Sequence, residues 1–248
     1  MSIATTHAAR NFKGTTTEGR SEAELKDLVS HAGAELELAP AELIVEWAVA
    51  TFGRRFCITS SMGDAVLADL AARVAPGIDV VFLDTGYHFV ETIGTRDAVE
   101  ATLPANLITV TPKQSVAEQD TTYGKDLYAR DPDLCCALRK VAPLQEALEG
   151  YDAWATGLRR QETRDRVIAP VIGWDEKKQM VKVSPLARWS GADVERYIAD
   201  HNVLVNPLQR DGYPSIGCWP CTRRVSPGED PRSGRWAGTG KTECGIHA

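Results

Sequence analysis

The sequence predicts an α/β protein built on a doubly wound, mostly parallel β-sheet. Short apolar segments with the length of buried strands occur at 55–59, 78–83, 107–110 and 153–156. Each segment ends in a loop of small or polar residues, and segments with helical spacing alternate with them. This alternation is typical of sheets that carry helices on both faces. Ligands of such sheets bind at the carboxyl ends of the strands, so we expect the loops 60–64, 84–88 and 157–166 to face one crevice.

Two helices are predicted around the first strand. Ile44 and Trp47 belong to an apolar stripe with helical spacing, and Gly53 follows at its end. A glycine just after the last turn is a common helix stop, so the stripe predicts a helix over 40–52. A second helix is predicted over 65–74.

The chain is predicted to have three parts. Residues 1–20 are polar and lack periodicity, which is typical of a flexible N-terminal arm. Residues 21–224 are expected to form a single α/β domain, whose irregular last part begins near Val203, where prolines interrupt every regular pattern. Residues 225–248 are expected to form a mobile C-terminal tail.

Composition and charge limit the function. The 248 residues are 25% charged and 43% hydrophobic, with a net charge of -6. An acidic balance argues against a nucleic-acid partner. The N-terminus has no apolar signal region, and the most apolar stretch, 43–52, is too short to span a bilayer. We therefore predict a cytoplasmic protein without a membrane partner, in which paired cysteines bind metal or carry out catalysis.

Six cysteines give the strongest functional signal. Cys135 and Cys136 are adjacent, Cys218 and Cys221 form a Cys-Trp-Pro-Cys pair, and Cys244 lies in the tail. Two thiol pairs can bind zinc or an iron–sulfur cluster. Adjacent helical residues point about 100° apart, which suits the wider 4Fe–4S cluster better than one zinc ion. Cys244 would then be free to act as a nucleophile.

The neighbours of the first pair support a buried anionic group. Arg139 and Lys140 follow four residues after Cys135 and Cys136, on the same helical faces. An anionic cluster needs such cations when it is buried. The alternative is that these are surface cations on an amphipathic helix and that the thiols are small buried hydrophobes. For Cys57, which lies in an apolar strand, we adopt the interpretation of a small buried hydrophobe without a functional role.

Four stretches resemble a known family. They are the tandem cysteines at 135–136 and the segments 213–223, 228–236 and 241–247. With them, the chain resembles the assimilatory adenylyl-sulfate reductases, relatives of the phosphoadenylyl-sulfate reductases, over nearly all its length after about residue 25. The resemblance implies that adenylyl sulfate and reduced thioredoxin give sulfite, AMP and oxidised thioredoxin. It leaves a homo-oligomer open.

The resemblance also implies roles for individual residues. Cys244 matches the nucleophile, which becomes a cysteine S-sulfonate. The 4Fe–4S ligands match Cys135, Cys136, Cys218 and Cys221. Lys140 matches a lysine that links the cluster to the active site. Contacts to the phosphosulfate fall on Arg166, Arg232, Arg235 and His247.

The loop 60–64 is similar to the pyrophosphate loop of ATP pyrophosphatase-like (adenine nucleotide alpha hydrolase-like) enzymes. It predicts that Ser60 and Ser61 meet a phosphate or ribose, since the loop opens a helix. The usual Ser-Gly-Gly-x-Asp has lost a glycine here, which suits a nucleotide with one phosphate. Asp84, after the second strand, is a predicted adenosine contact.

Three other functions compete with this interpretation. A reductase for the 3′-phosphorylated substrate is the closest, but the four cluster cysteines usually accompany the unphosphorylated one. A tRNA thiolation enzyme conflicts with the acidic balance and the altered loop. A cluster-based redox sensor would leave Cys244 and the arginines around it without a role.

Overall fold

A mostly parallel sheet forms the centre of the fold. The computed structural model describes residues 19–239 together with residues 241, 243, 245 and 246. The strands are β1 (Phe56–Thr59), β2 (Asp79–Leu83), β3 (Asn106–Val110), β4 (Ala153–Thr156), β5 (Ile172–Asp175) and β6 (Met180–Val183). Their order across the sheet is β3-β2-β1-β4-β6-β5. β5 runs antiparallel to β6, and the other pairings are parallel.

The strand order confirms the doubly wound prediction. The chain moves outward from β1 to β2 and β3, and then returns to place β4 on the other side of β1. The direction of winding therefore reverses between β1 and β4. All four predicted strands are present, and the predicted helices at 40–52 and 65–74 are also found.

Helices cover both faces of the sheet. They are α1 (Glu22–Leu36), α2 (Ala41–Phe52), α3 (Val66–Val74), α4 (Val90–Thr102), α5 (Val116–Tyr123), α6 (Leu127–Arg130), α7 (Pro132–Cys136), α8 (Ala142–Ala147) and α9 (Gly191–His201). A π-helical segment, Ala137–Val141, joins α7 to α8. Short 3-10 turns occur at Gly53–Arg55, Arg160–Glu162, Arg164–Arg166, Pro207–Gln209 and Trp219–Cys221.

The alternation of side chains along each strand divides the core in two. Val80 and Phe82 of β2 face the larger core, which packs against α1, α2, α3, α4 and α9, whereas Val81 faces a smaller one. Successive side chains of a strand point to opposite faces, so the smaller core lies on the other face, where α8 contributes Leu144 and Leu148. Trp154 of β4 is fully buried there.

Several elements were missing from the sequence prediction, among them α1 and the strand pair β5–β6. α1 begins at a capping box in which Ser21 and Glu24 bond each other's backbone N–H groups. β5 and β6 are joined by only the residues 176–179, and such a short link allows only antiparallel pairing. The Asp175 carboxylate accepts the backbone N–H of Lys178 within this turn, at 3.1 Å.

The three-part organisation of the chain stays a prediction. Residues 1–18 lie outside the described residues. Arg20, at the end of the predicted arm, donates to the carbonyl oxygen of Thr51 at 2.6 Å and lies beside Asp152. Among the helices that the structure describes, none is both long and apolar enough to cross a membrane.

Candidate active site

The crevice lies where the winding of the sheet reverses. β1 and β4 are neighbours, and the loops that follow them leave in opposite directions, which opens a ligand-binding crevice in folds of this kind. Asp64 of the first loop lies close enough to Arg159 and Glu162 of the second to feel their charges. Burial raises the pKa of the Asp64 carboxyl, and the Arg159 guanidinium opposes that rise. The loops 60–64 and 157–166 thus lie side by side, as the sequence predicts.

The loop 60–64 has a strained backbone. Met62 has a φ of 58°, in the left-handed region that favours glycine, and its side chain is fully buried. The Ser60 hydroxyl accepts the Met62 N–H at 3.3 Å, and the Asn206 amide donates to the Met62 carbonyl oxygen at 3.0 Å. Such strain persists only where the surroundings enforce it, often at ligand-binding loops. Ser61 is exposed and Ser60 half-buried, and their predicted contacts to a nucleotide stay predictions.

The loop after β2 joins the crevice to the cysteine region. The Asp84 carboxylate accepts the N–H of Gly86 at 3.0 Å, which shapes a turn. In that turn the Thr85 hydroxyl accepts the Tyr87 N–H and lies 3.3 Å from the sulfur of Cys218. Asp84 is thus engaged in the turn through one oxygen, and its predicted contact to adenosine stays a prediction.

The predicted metal ligands line one cavity. One small cavity is lined by Cys135, Cys136, Cys218 and Cys221. The other lining residues are Tyr87, Tyr128, Pro132, Arg139, Lys140 and Pro220. The five cysteines that the structure describes, these four and Cys57, are all free thiols. The fold therefore gathers the two pairs predicted from sequence.

The π-helical segment explains how adjacent cysteines and two later cations reach the same cavity. Cys135 and Cys136 end α7, and Arg139 and Lys140 lie in the π segment that follows. A π-helix has more residues in each turn than an α-helix, because its hydrogen bonds span five residues. All four side chains line the cavity. The widened turn is a frequent feature of functional sites.

Arg139 is a buried cation at the cavity wall. Its guanidinium donates to the carbonyl oxygens of Thr85 and Gln114 and to the side chain of Gln119. It lies 5.3 Å from the centre of the Tyr87 ring. Because its positive charge is held in place by three acceptors, it supplies fixed positive potential beside the thiols.

The chemistry of these thiols suits a positively charged ligand. Burial raises the pKa of Cys135 to about 12, and the neighbouring thiols of Cys136, Cys218 and Cys221 add to the rise. A bound metal deprotonates its thiol ligands, so these donors suit a cationic metal group. The indole N–H of Trp236, whose backbone bonds Cys221, is buried without an acceptor among the described residues.

Within the part of the chain that the structure describes, no three His, Cys, Asp or Glu side chains converge as ligands of a single metal ion. The four thiols nevertheless share one cavity. They could hold a polynuclear metal group.

A second cluster of charges lies after β4. Arg166 is buried, with 8% of its surface exposed. Its guanidinium donates twice to Glu243, from Nε to Oε1 and from Nη2 to Oε2, each at 2.8 Å, and its Nη1 donates to Glu162. Arg232 reaches the same Glu243 carboxylate at 3.4 Å. The structure thus brings together Arg166 and Arg232, two of the predicted substrate arginines.

Arg235 lies with the cysteine loop instead. It donates to the carbonyl oxygen of Ile216 at 3.2 Å and stacks on Trp236 at 4.5 Å. It also lies close enough to Cys221 to lower the pKa of that thiol, against the larger effect of burial. Its predicted contact with the phosphosulfate stays a prediction, as does that of Arg232.

Described residues of the tail are held at several points. Lys178 donates to the carbonyl oxygen of Ile246 at 3.0 Å, and Ile246 packs against the smaller core. Lys241 forms an ion pair with Asp133 of α7. Cys244 and His247, predicted as nucleophile and substrate contact, lie outside the described residues.

Sequence reasoning missed several residues of this region. Thr85, Glu162, Glu243 and Lys178 each bond a residue of the two clusters or of the tail. Glu243 adjoins the predicted nucleophile in sequence, which could have drawn attention to it. The contacts of Thr85 and Lys178 have no local signal.

These features define a class of protein. A doubly wound sheet with a buried arginine, Arg166, at its switch point is typical of α/β proteins that bind nucleotides or other anions. A cavity lined by four free thiols adjoins this crevice through the loop after β2.

Comparison with known proteins identifies the family. Residues 55–224 match the family described as phosphoadenosine phosphosulfate reductase domain, and the chain belongs to this family. It is 65% identical to the adenosine 5′-phosphosulfate reductase of Streptomyces coelicolor over 230 residues, which cover 93% of this chain and 98% of that protein. The family predicted from the sequence motifs is confirmed.

Solved structures agree with the fold. The phosphoadenylyl-sulfate reductase of Candida auris, in a phosphate complex, is 28% identical with a TM-score of 0.67, covering 85% of this chain and 100% of that one. The FMN adenylyltransferase of Candida glabrata has a TM-score of 0.51 at 11% identity, covering 84% and 79%. At that identity the likeness concerns the fold alone, and it agrees with the predicted ATP pyrophosphatase-like fold.

Proposed function

We propose that this protein reduces adenylyl sulfate to sulfite and AMP, with thioredoxin as electron donor, in assimilatory sulfate reduction. The observation that carries the proposal is the four-thiol cavity. The chain that contains it matches 98% of the length of the Streptomyces coelicolor adenosine 5′-phosphosulfate reductase. Arg166 and Arg232, which both bond the Glu243 carboxylate and are called the arginine cluster below, would bind the anionic part of such a substrate.

The proposed cofactor is a 4Fe–4S cluster. Cys135, Cys136, Cys218 and Cys221 would hold it, and the buried Trp236 indole and the Thr85 hydroxyl are hydrogen-bond donors beside these ligands. When bound, such a cluster supplies the positive charge that keeps four buried thiolates together. Binding of the cluster to the four cysteines would also hold Lys140 in position, because Lys140 lines the same cavity.

The chain's own residues would bind and orient the substrate. Arg166 and Arg232 present guanidinium groups suited to paired hydrogen bonds with phosphate or sulfate oxygens. Lys140 would add a cation from the cluster side. Ser60 and Ser61 would contact the phosphate or ribose, Asp84 the adenosine, and Arg235 and His247 the phosphosulfate.

The chemical step would belong to Cys244. Its thiolate would attack the sulfate sulfur, forming an S–S bond while the S–O bond to AMP breaks and AMP leaves with the electron pair. Nearby cations favour the thiolate. A thiolate of reduced thioredoxin would then attack the Cys244 sulfur and release sulfite, and a second thioredoxin thiol would regenerate Cys244 by closing the disulfide.

Turnover assays test the proposal. Anaerobically purified protein would be given reduced thioredoxin and either adenylyl sulfate or its 3′-phosphorylated form. Sulfite and the released nucleotide, AMP or adenosine 3′,5′-bisphosphate, would be quantified. We expect equal amounts of AMP and sulfite from adenylyl sulfate, much slower reaction of the 3′-phosphorylated form, and about four irons and four acid-labile sulfides per chain. Faster turnover of the 3′-phosphorylated form would identify the alternative reductase, and a colourless zinc protein would contradict the proposed cofactor.

A further inference from the structure

Arg166 and Arg232 bind a carboxylate of the protein itself, that of Glu243. Glu243 places both carboxylate oxygens 2.8 Å from Arg166, and Arg232 approaches one of them at 3.4 Å. Side-on pairing of two oxygens with one guanidinium is also the way in which arginine binds phosphate and sulfate. Glu243 therefore has the geometry of a bound oxyanion.

The two glutamates on Arg166 differ in their attachment. Glu162 belongs to the same loop, and its carboxylate also accepts the backbone N–H of Arg159 at 3.0 Å. Its place is fixed by local structure. Glu243 comes from 77 residues further along the chain, and the hydrogen bonds that the structure describes for its carboxylate are all to the two arginines. Glu243 can therefore leave without disturbing the loop.

The charge balance favours exchange of Glu243 for a ligand. Arg159, Arg166 and Arg232 carry three positive charges, and Glu162 and Glu243 carry two negative ones, which leaves +1. Without Glu243 the same set has +2. Lys182 of β6 also lies close enough to feel Arg166 and Glu243, together with Asp175 and Lys178. The site is thus built to hold an anion in the place that Glu243 occupies.

We propose that Glu243 is an internal anion that occupies the subsite for the substrate's terminal oxyanion, and that the substrate must displace it to bind. This inference rests on the proposed function for the identity of the substrate. The terminal group is the sulfate of adenylyl sulfate or the β-phosphate of ADP, which share this chemistry. Displacement frees the residue that precedes Cys244, while Lys178 and the smaller core hold Ile246. Substrate binding is thereby coupled to the position of the tail.

Calorimetric binding of nucleotides to the anaerobic holoprotein tests this inference. Glu243→Gln keeps the size of the side chain but removes its charge, and Glu243→Ala removes the competitor altogether. We expect the Kd for ADP to fall roughly tenfold in both variants, because loss of a charge-assisted hydrogen bond is worth about that factor. The Kd for AMP, which has no group at the terminal position, should change less than threefold. Binding of adenylyl sulfate to the same variants carrying Cys244→Ser, which cannot form the S-sulfonate, distinguishes the sulfate ligand from the phosphate one.

The matched control is Glu37→Gln. Glu37 pairs with Arg160 of the neighbouring turn at 2.6 Å, and the contacts that the structure describes for Glu37 do not include Arg166 or Arg232. We expect this variant to bind ADP like the wild type. Unchanged or weaker ADP binding in both Glu243 variants would overturn the inference, as would equal tightening for AMP and ADP.

The outcomes separate this inference from the proposed function. If wild-type protein fails to turn over adenylyl sulfate while the Glu243 variants still bind ADP more tightly, the displaceable anion stands and the reaction is wrong. If turnover is normal but ADP binding is insensitive to Glu243, the reaction stands and the displacement is wrong.

Discussion

The hydroxyl of Thr85 lies 3.3 Å from the sulfur of Cys218, although the two residues are 133 positions apart. Because the same hydroxyl accepts the Tyr87 N–H, its proton is available to the sulfur. Hydrogen bonds to thiolate ligands raise the reduction potential of iron–sulfur clusters. This contact connects the β2 loop, which borders the crevice, to a proposed cluster ligand.

Thr85→Val should therefore change the proposed cluster without emptying the cavity. We expect a more negative reduction potential, measured by anaerobic titration of the visible absorbance, and a loss of about 1 kcal/mol in the free energy of unfolding. Thr95→Val is the matched control, because the hydrogen bond that the structure describes for that buried hydroxyl lies within α4. An identical potential in the two variants would show that Thr85 does not act on the cluster.

Gly86→Ala should disturb the wall of the cysteine cavity. Gly86 has a φ of 73°, and an added Cβ would lie 2.9 Å from Nη2 of Arg139. We expect a loss of about 2–3 kcal/mol in the free energy of unfolding and fewer irons per chain. Gly77→Ala separates the two causes, since its φ is 92° but its Cβ would meet no atom within 4 Å. It should lose only about 1–2 kcal/mol and keep its iron.

Arg166→Lys should impair binding of the anionic substrate. Lysine keeps the charge but cannot form two parallel hydrogen bonds. We expect kcat/KM for adenylyl sulfate to fall about 10²–10³-fold, the usual cost of losing a preorganised donor to an oxyanion. Arg164→Lys, on the same 3-10 turn but exposed, should retain wild-type kcat/KM. Equal losses in both variants would indicate damage to the turn instead of loss of a substrate contact.

His88 should make stability depend on pH. Its ring donates through Nε2 to the Leu83 carbonyl oxygen at 2.7 Å, and burial lowers its pKa below the ordinary 6.5. Between the lowered value and 6.5 the unfolded chain binds the additional proton, so the free energy of unfolding rises with pH through this window. The contribution is complete above pH 6.5 and is lost as the pH falls.

The variant His88→Gln places a side-chain amide donor near the position of the histidine Nε2, but this amide does not titrate. Denaturant unfolding between pH 5 and 7.5 should show a shallower dependence on pH in this variant than in the wild type. His31→Gln, which changes an exposed histidine of α1, should retain the wild-type dependence. A slope unchanged by His88→Gln would refute the assignment of the effect to this ring.

Much of the fold follows from local sequence pattern. The runs around Ile58, Val80 and Trp154 are apolar on both faces, as buried parallel strands require, and they were predicted within one residue. The capping box at Ser21 was also present in the sequence and would have predicted α1. The π-helical segment was not predictable in this way, because a change of hydrogen-bond spacing within a helix has no compositional signal.

The candidate site was predictable where chemistry is concentrated in one residue type. Cysteines are few, so the pairs at 135–136 and at Cys218 and Cys221 stood out, and the fold gathers them. Polar partners such as Thr85 and Glu243 did not stand out, because threonine and glutamate are common residues. Their contacts are also distant in sequence: Thr85 lies 133 residues from Cys218, and Glu243 lies 77 residues from Arg166. Only the sheet topology brings them together.

The most direct measurement is the mass of the C-terminal peptide after reaction with adenylyl sulfate in the absence of thioredoxin. The account predicts one added sulfonate group on the peptide that contains Cys244, formed together with one equivalent of AMP, released as sulfite by reduced thioredoxin, and absent in Cys244→Ser. A sulfonate on Cys57 or on any cavity cysteine, or AMP released without a modified tail, would contradict it.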